Sequence, residues 1–592
     1  MNLAFRDLKY KRPDFNHLSV LYQKIMKQLD RINQQGFEFI DLKENFEACS
    51  NYYLYCISMQ HLYQLKKAFE NQSDSENQDD NKGSINQEDQ ELILLKKEII
   101  KAKDDYIILF SKIADSDLKY SKDSLENSSI LNQARRVAKT YGQVDSQLIK
   151  AEQDLKNQYD YFYYNTNIEL NAPNPQIIDS DFKQDKKYNI YLPDFHLWLR
   201  QADGTTRARL YYKFSQELQK YDYDNENLFK LLVENRKEQA KQSHLSYFDF
   251  NIMRNKGFGY ERKDLLHFKQ NINEYFFPLI DEIRRLRNNR FKKEKMLFYD
   301  EFKISPINPI NLIEHDDNHD SLETCLLHAF QNIFRDNDSY IFEMIKQGYW
   351  NGDPEFNRKI GKESTLLQYW NKLFLSLRFN QDYFNLEDIF FSTGKALSDL
   401  SGMINLKGIT SYEQSPLIRQ VSGFAMLFLS MRQTHLFTEN YELFNDLSLI
   451  DALLKIPYAL AIDTFESTVY SEDSSSTLSY SNLWQQIEKN NKIDFDFASD
   501  GFFSAGNTWQ IMPSLFNNPY SSLEYVLALI VILAEQPYRD RRNSLEKKLN
   551  LLLTTNTELP FVKRLQICGF SSPFDIKTIR KASFAVCDML QI

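Results

Sequence analysis

Glycine and proline are scarce in this chain. There are 16 of one and 15 of the other among 592 residues, less than half of the roughly 12% that average usage supplies. Both residues mark turns: glycine reaches positive φ without strain, and proline fixes φ and removes a backbone donor. A chain this poor in turns must be built from long elements, and apolar residues three and four apart make those elements helices. Leu18, Leu21, Ile25 and Leu29 recur at that spacing, as do Leu92, Leu95, Ile99, Leu109 and Ile113. The expected fold class is all-α, with at most a small β-sheet. A hydrophobic fraction of 42% is ample for a large core and excludes a disordered chain.

Length alone would allow roughly four domains. No internal repeat recurs at a fixed period, and one large cooperative body is expected instead, with an N-terminal helical lobe over 1–200 and a larger helical lobe over 201–592. Gln72–Glu91 is polar, acidic and almost free of apolar residues, so a flexible loop between two helices is expected there. Asn165–Asp194 holds Pro173, Pro175 and Pro193 and reads as irregular; Phe298–Asn311, with Pro306 and Pro309, reads as extended. The net charge of −10 disfavours a nucleic-acid binder, which needs a basic surface. Five scattered cysteines with no C-x-x-C pair read as reduced thiols of a cytoplasmic protein. Met1–Asp7 reaches charge before any export segment could form, and the longest apolar run, Tyr525–Ala534, is about half of a bilayer span. Neither membrane nor nucleic acid is expected as a partner.

Several stretches, collinear over the whole chain, resemble the oligoendopeptidase F branch of the M3 zinc metallopeptidases. They are Phe5–Asp14 (FRDLKYKRPD), Phe248–Tyr260 (FDFNIMRNKGFGY) followed by Asp264-Leu265 and Phe277-Pro278-Leu279, and Phe298–Glu301 (FYDE). Near the end come Pro519–Tyr525 (PYSSLEY) and Gly569–Phe574 (GFSSPF). The resemblance implies a mostly helical, two-lobed clamshell around a deep central channel, with oligopeptides as ligands and any small sheet near the active site.

The same resemblance implies zinc held by H-E-x-x-H and a later carboxylate, the glutamate acting as base to the metal-bound water. No H-E-x-x-H occurs in the sequence. Aligned on the family pattern, Met431 stands at the first histidine, Arg432 at the glutamate and His435 at the second histidine, while Asp463 stands at the later carboxylate. A thioether suits copper(I) far better than zinc. A guanidinium is a permanent cation that cannot accept a proton. The groups that would donate to the oxyanion are replaced as well: Ser514 stands five residues after Trp509 where a histidine is implied, and Ser521-Ser522 replace a tyrosine pair. Trp509, Tyr520 and Tyr525 remain as a frame for substrate binding.

Three elements of the chemistry are thus missing together. No cofactor is expected, and Arg432 is expected to pair with Asp463 in place of the ion. The leading expectation is a peptidase-like protein that binds oligopeptides without cleaving them. The alternatives are an active zinc oligopeptidase with a rebuilt site, and a regulatory subunit assembled with itself or with an active paralogue. Other motifs carry less. Glu314–Asp320 has H-x₃-H spacing between His315 and His319, with His328 beyond, but reads as a polar cap for the helix that follows. The basic run Arg284–Lys295 reads as a solvated helix face, and Gly394-Lys395 lacks the spacing of a phosphate loop.

Overall fold

The turn-poor sequence folds into helices over most of its described length. The computed structural model describes residues 4–35, 40–75, 90–115, 144–172, 186–254, 259–305, 322–334, 340–353, 356–357, 360, 363–377, 383–405, 414–471, 479–493, 495–497, 501–536, 544–555 and 559–592. Three long helices come first: α1 (Phe15–Gln35), α2 (Ile40–Ser75) and α3 (Gln90–Asp115). They enclose a small core in which Leu18, Ile25 and Leu29 meet Cys49, Cys56, Tyr106 and Phe110. The helical spacing read in α1 is its buried face. Of the acidic stretch, residues 72–75 close α2 and Gln90–Glu91 open α3; residues 76–89 lie outside the described residues.

The helix α4 (Ser146–Asn165) is capped by Asp145, whose carboxylate accepts from the Gln147 amide at 2.8 Å. The stretch expected to be irregular contains an antiparallel pair, β1 (Asn167–Ala172) and β2 (Lys186–Tyr191), with Asn167 opposite Tyr191 and Ala172 opposite Lys186. Four helices follow: α5 (Phe195–Gln201), α6 (Gly204–Gln219), α7 (Asp222–Gln242) and α8 (Tyr247–Arg254). Their apolar faces share a second core with a distant segment, Tyr159, Phe195, Phe214, Phe229 and Phe250 packing with Phe465, Trp484, Trp509 and Phe516. Residue 200 therefore falls inside one core and marks no break in packing.

The largest core takes in Phe5 and Leu8, Met59, Leu62 and Leu65 of α2, and then α9 (Arg262–Tyr275) and α10 (Phe277–Arg290). Phe298–Asp300, expected to be extended, is a 3₁₀ turn. After α11 (Leu322–Ile333) and α12 (Tyr340–Lys346) comes a three-stranded sheet of β3 (Trp350–Asn351), β4 (Ser364–Leu367) and β5 (Lys372–Ser376). In it β5 is central, parallel to β3 and antiparallel to β4. The rest is helical: α13 (Tyr383–Asn405), α14 (Pro416–Ser430), α15 (Tyr441–Leu454), α16 (Ile456–Val469), α17 (Tyr480–Asn490), α18 (Pro513–Asn517), α19 (Ser522–Leu533), α20 (Ser544–Thr554), α21 (Phe561–Ile567) and α22 (Ile576–Leu590). The protein is all-α with two small sheets.

Four of the prolines open α-helices. Pro278, Pro416, Pro457 and Pro513 sit in the first turns of α10, α14, α16 and α18, where a missing N–H costs nothing. The two middle helices α14 and α19 are largely apolar and buried from Val421 to Ser430 and from Val526 to Leu533, as helices at the centre of a large body must be. The helix α16 joins the two large cores: Ile456, Ala459 and Leu460 belong to one, Ala461, Phe465 and Val469 to the other. Its polar residues consequently lie at the seam. Among the described residues, no helix is long and apolar enough to cross a membrane.

Candidate functional site

The segment aligned with H-E-x-x-H does not form one helical face. The helix α14 ends at Ser430, whose hydroxyl donates to the Leu427 carbonyl at 2.7 Å. Met431 caps it, and its carbonyl is taken by the Thr434 hydroxyl at 3.0 Å and by Asn445 Nδ2 at 3.0 Å. Those bonds hold a turn, after which Thr434–Leu436 is a 3₁₀ turn. Residues four apart share a face only on an α-helix, so Met431 and His435 point apart. Met431 is half-buried; Arg432 and His435 are exposed, the latter edge-on to the Tyr441 ring at 6.5 Å.

The expected pairing of Arg432 with Asp463 is corrected by this geometry. Asp463 is 3% exposed, and its cation comes from α9: Lys269 Nζ donates to Asp463 Oδ2 at 2.6 Å, with Arg262 the next positive charge. Arg432 lies beyond reach because the chain has left the helix that would have aimed it. Burial nevertheless holds the Asp463 carboxyl above its ordinary range, against the pull of Lys269. One turn on, Glu466 has no exposed surface. Burial, reinforced by the charge of Asp463, pushes its carboxyl well above the usual range. Its Oε2 accepts the Tyr520 amide at 2.9 Å, while Oε1 has no hydrogen-bond partner among the described residues. Burial also lifts Glu524 of α19 to about 8 and the Tyr260 hydroxyl well above its ordinary value.

The segment from Trp509 to Tyr525 is clamped from the second core. Arg236, fully buried on α7, donates to Glu152 Oε1 at 2.9 Å, to the Tyr470 hydroxyl at 2.9 Å and to the carbonyls of Leu515 and Phe516. Asn251 Nδ2 donates to the Pro519 carbonyl at 3.1 Å. Pinned on both sides, Tyr520 adopts φ +62°, a left-handed conformation that costs a side-chain-bearing residue on the order of 1–3 kcal/mol. This conformation accompanies the bond from the Tyr520 amide to Glu466. Trp509, expected to bind substrate, has no exposed surface and stacks on Phe516 at 6.1 Å; it is part of the second core. Ser514, Ser521, Ser522, Tyr520 and Tyr525 are half-buried, and Tyr525 donates to the Ala452 carbonyl at 3.4 Å.

Zinc does not fit these residues. Met431, Arg432 and His435 diverge on a turn, and Asp463 already holds an ammonium. Among the described residues no group of three or more His, Cys, Asp or Glu is arranged to take a metal ion. Glu314–Asp320, with His315 and His319, lies outside the described residues, and His328 is exposed on α11. The basic run is largely engaged: Arg285 pairs with Glu282, Arg287 with Glu301 and Lys293 with Asp300, while Arg284 donates to the Lys492 carbonyl. Lys269 was missed by sequence reading, although a signal existed. It lies one turn from the buried Leu265 and Ile272, on an apolar stripe where a lysine needs a partner.

No family model matches the sequence, and comparison with curated proteins finds no relative. Solved structures do match. A structure described as an oligoendopeptidase F superposes with a TM-score of 0.78 at 16% identity, over 100% of this chain and 99% of the other. PZ peptidase A with an inhibitor gives 0.79 at 16% identity over 99% of each chain. A Bacillus anthracis protein described as an oligoendopeptidase F gives 0.72 at 15%, over 100% and 98%. From end to end, the chain has the fold of these peptidases.

Proposed function

We propose that the protein is a relative of oligoendopeptidase F that binds oligopeptides and no longer hydrolyses them. The observation that carries this reading is the ammonium of Lys269 on the carboxylate of Asp463 at 2.6 Å. A carboxylate buried at the seam of the two cores requires a positive charge, or it must take up a proton. A divalent ion would meet that requirement in a metallopeptidase; here a side chain meets it permanently. A lysine in that place also removes the Lewis acid on which water activation depends. The five cysteines are unbridged, in keeping with a reducing compartment such as the cytoplasm.

The test uses the purified full chain and a set of quenched fluorescent oligopeptides. Binding is expected by fluorescence anisotropy, with no hydrolysis that chelators abolish and no stoichiometric zinc by elemental analysis. About one zinc per chain together with chelator-sensitive cleavage would overturn the reading.

A further inference from the structure

Between α18 and α19 the chain reverses over Asn518, Pro519, Tyr520 and Ser521. The Ser521 amide donates to the Asn518 carbonyl at 3.3 Å, with Pro519 in the second position and Tyr520, at φ +62°, in the third. That is the pattern of a type II β-turn. Proline suits the second position of types I and II alike. The third position of type II is left-handed and takes glycine or asparagine by preference. A tyrosine there favours type I, in which its φ is about −90°. The two forms differ by a half-turn of one peptide unit, the one joining Pro519 to Tyr520.

Both sides of that peptide unit are held by side chains from other helices. Asn251 of α8 donates through Nδ2 to the Pro519 carbonyl at 3.1 Å. Opposite it, Oε2 of Glu466 in α16 accepts the Tyr520 amide at 2.9 Å. Asn251 is 7% exposed and Glu466 has no exposed surface, so neither bond is readily exchanged for water. Turning the peptide over sets carbonyl against carboxyl oxygen and amide against amide, and breaks both bonds at once. Upstream, Arg236 fixes the carbonyls of Leu515 and Phe516; downstream, α19 begins at Ser522. The freedom left between them is the rotation of this one peptide.

The two clamping helices both reach both large cores. In α8, Tyr247 and Phe250 are buried in the second core, while Phe248 and Ile252 pack against the largest; α16 is divided in the same way. A change in how the cores sit against each other therefore alters the separation of Asn251 and Glu466.

We propose that the Pro519–Tyr520 peptide is a two-state latch, held in the type II form by Asn251 and Glu466 and released to type I when either lets go. The turn then reports how the two cores are seated. Release swings the Tyr520 ring out of the group it forms with Tyr247, Phe248 and Tyr470, at centroid distances of 6.2, 5.3 and 5.9 Å. Neither a ligand nor peptide binding is required for it.

Glu466→Leu and Asn251→Leu each remove one clamp and keep apolar bulk in its place. A crystal structure of either variant is expected to show Tyr520 at negative φ, and one suffices if the other does not fold. Urea unfolding of the two single variants and the double gives a second reading. Because one release frees the whole peptide, the double variant is expected to lose at least about five-fold less in its folding constant than the product of the single losses, the scale of one hydrogen bond. With Tyr520→Gly as background the left-handed form carries no penalty. The turn then stays type II without a clamp, and the losses are expected to multiply. Positive φ at Tyr520 in either Leu variant overturns the latch. So does a cycle whose losses multiply with the tyrosine in place, or one whose coupling survives Tyr520→Gly.

Discussion

Lys269 supplies the positive charge beside the buried Asp463. It reaches Asp463 across 194 residues of sequence, and the pair is nearly dry, with side chains 17% and 5% exposed. Removing one member of a buried pair leaves the other as an uncompensated charge, which typically costs 3–5 kcal/mol. Lys269→Met is therefore expected to lose about that much at pH 8, and less at pH 5. The sign follows from Asp463: its carboxyl is already raised in the folded state, and without the lysine it would rise further. A raised acid favours the folded state below its unfolded value and loses that advantage as pH climbs. Urea unfolding at both pH values decides the matter, since an equal loss at each would mean that packing, not charge, is what the lysine provides. By contrast Arg432→Ala, on an exposed turn, should change stability by less than about 1 kcal/mol. The histidine and its neighbours could be found in the sequence by pattern; the true partner of Asp463 could not, because the contact depends on how α9 meets α16.

Elements were more legible than their contacts. Helices followed from scarce turns and apolar spacing, and α1 buries the residues that the spacing singled out. The end of α14 was not legible: Ser430-Met431-Arg432-Gln433 holds neither glycine nor proline, and side-chain bonds from Ser430, Thr434 and Asn445 stop the helix instead. Conversely Gly394, which suggested no loop, has a packing role within α13. A Cβ there would run into the Ser422 carbonyl and meet the Met426 Cβ at 2.8 Å, so glycine lets α13 lie directly against α14. Gly394→Ala must push the two helices apart and is expected to cost about 2–4 kcal/mol. Gly204, in the first turn of α6, has only the Arg207 guanidinium at 3.7 Å; Gly204→Ala should be neutral or stabilising by up to about 1 kcal/mol. Thermal unfolding of the two variants side by side checks the contrast, and a harmless Gly394→Ala would remove the close approach from the account of the central helix pair.

Over the whole molecule, several buried carboxyls are held above their ordinary range. Glu387 and Glu466 lie well above it, Glu524 is near 8 and Glu488 near 7. Composition gave no hint of this, because acids counted along a sequence are taken to face water. Each such group binds a proton in the folded chain that the unfolded chain has released, and each retained proton lowers stability by about 1.4 kcal/mol per pH unit. One opposing group is His196, whose burial lowers it to about 4; its effect favours higher pH but is complete by about 6.5, the ordinary histidine value. Another is Lys156, lowered by burial to about 8, which opposes the carboxyls only at the upper end of the range. Several carboxyls outweigh one partly titrated lysine, so stability should fall from pH 6.5 to pH 8, where most proteins are flat. Glu524→Gln isolates one contribution. The amide keeps the shape and cannot ionise, so the variant should be more stable than the parent at pH 7.5 by on the order of 2–4 kcal/mol, and equal to it near pH 4.5. Urea unfolding across that range measures the difference directly. A difference that stays constant with pH would show that Glu524 ionises as freely in the fold as out of it, and that the seam is wetter than its packing implies.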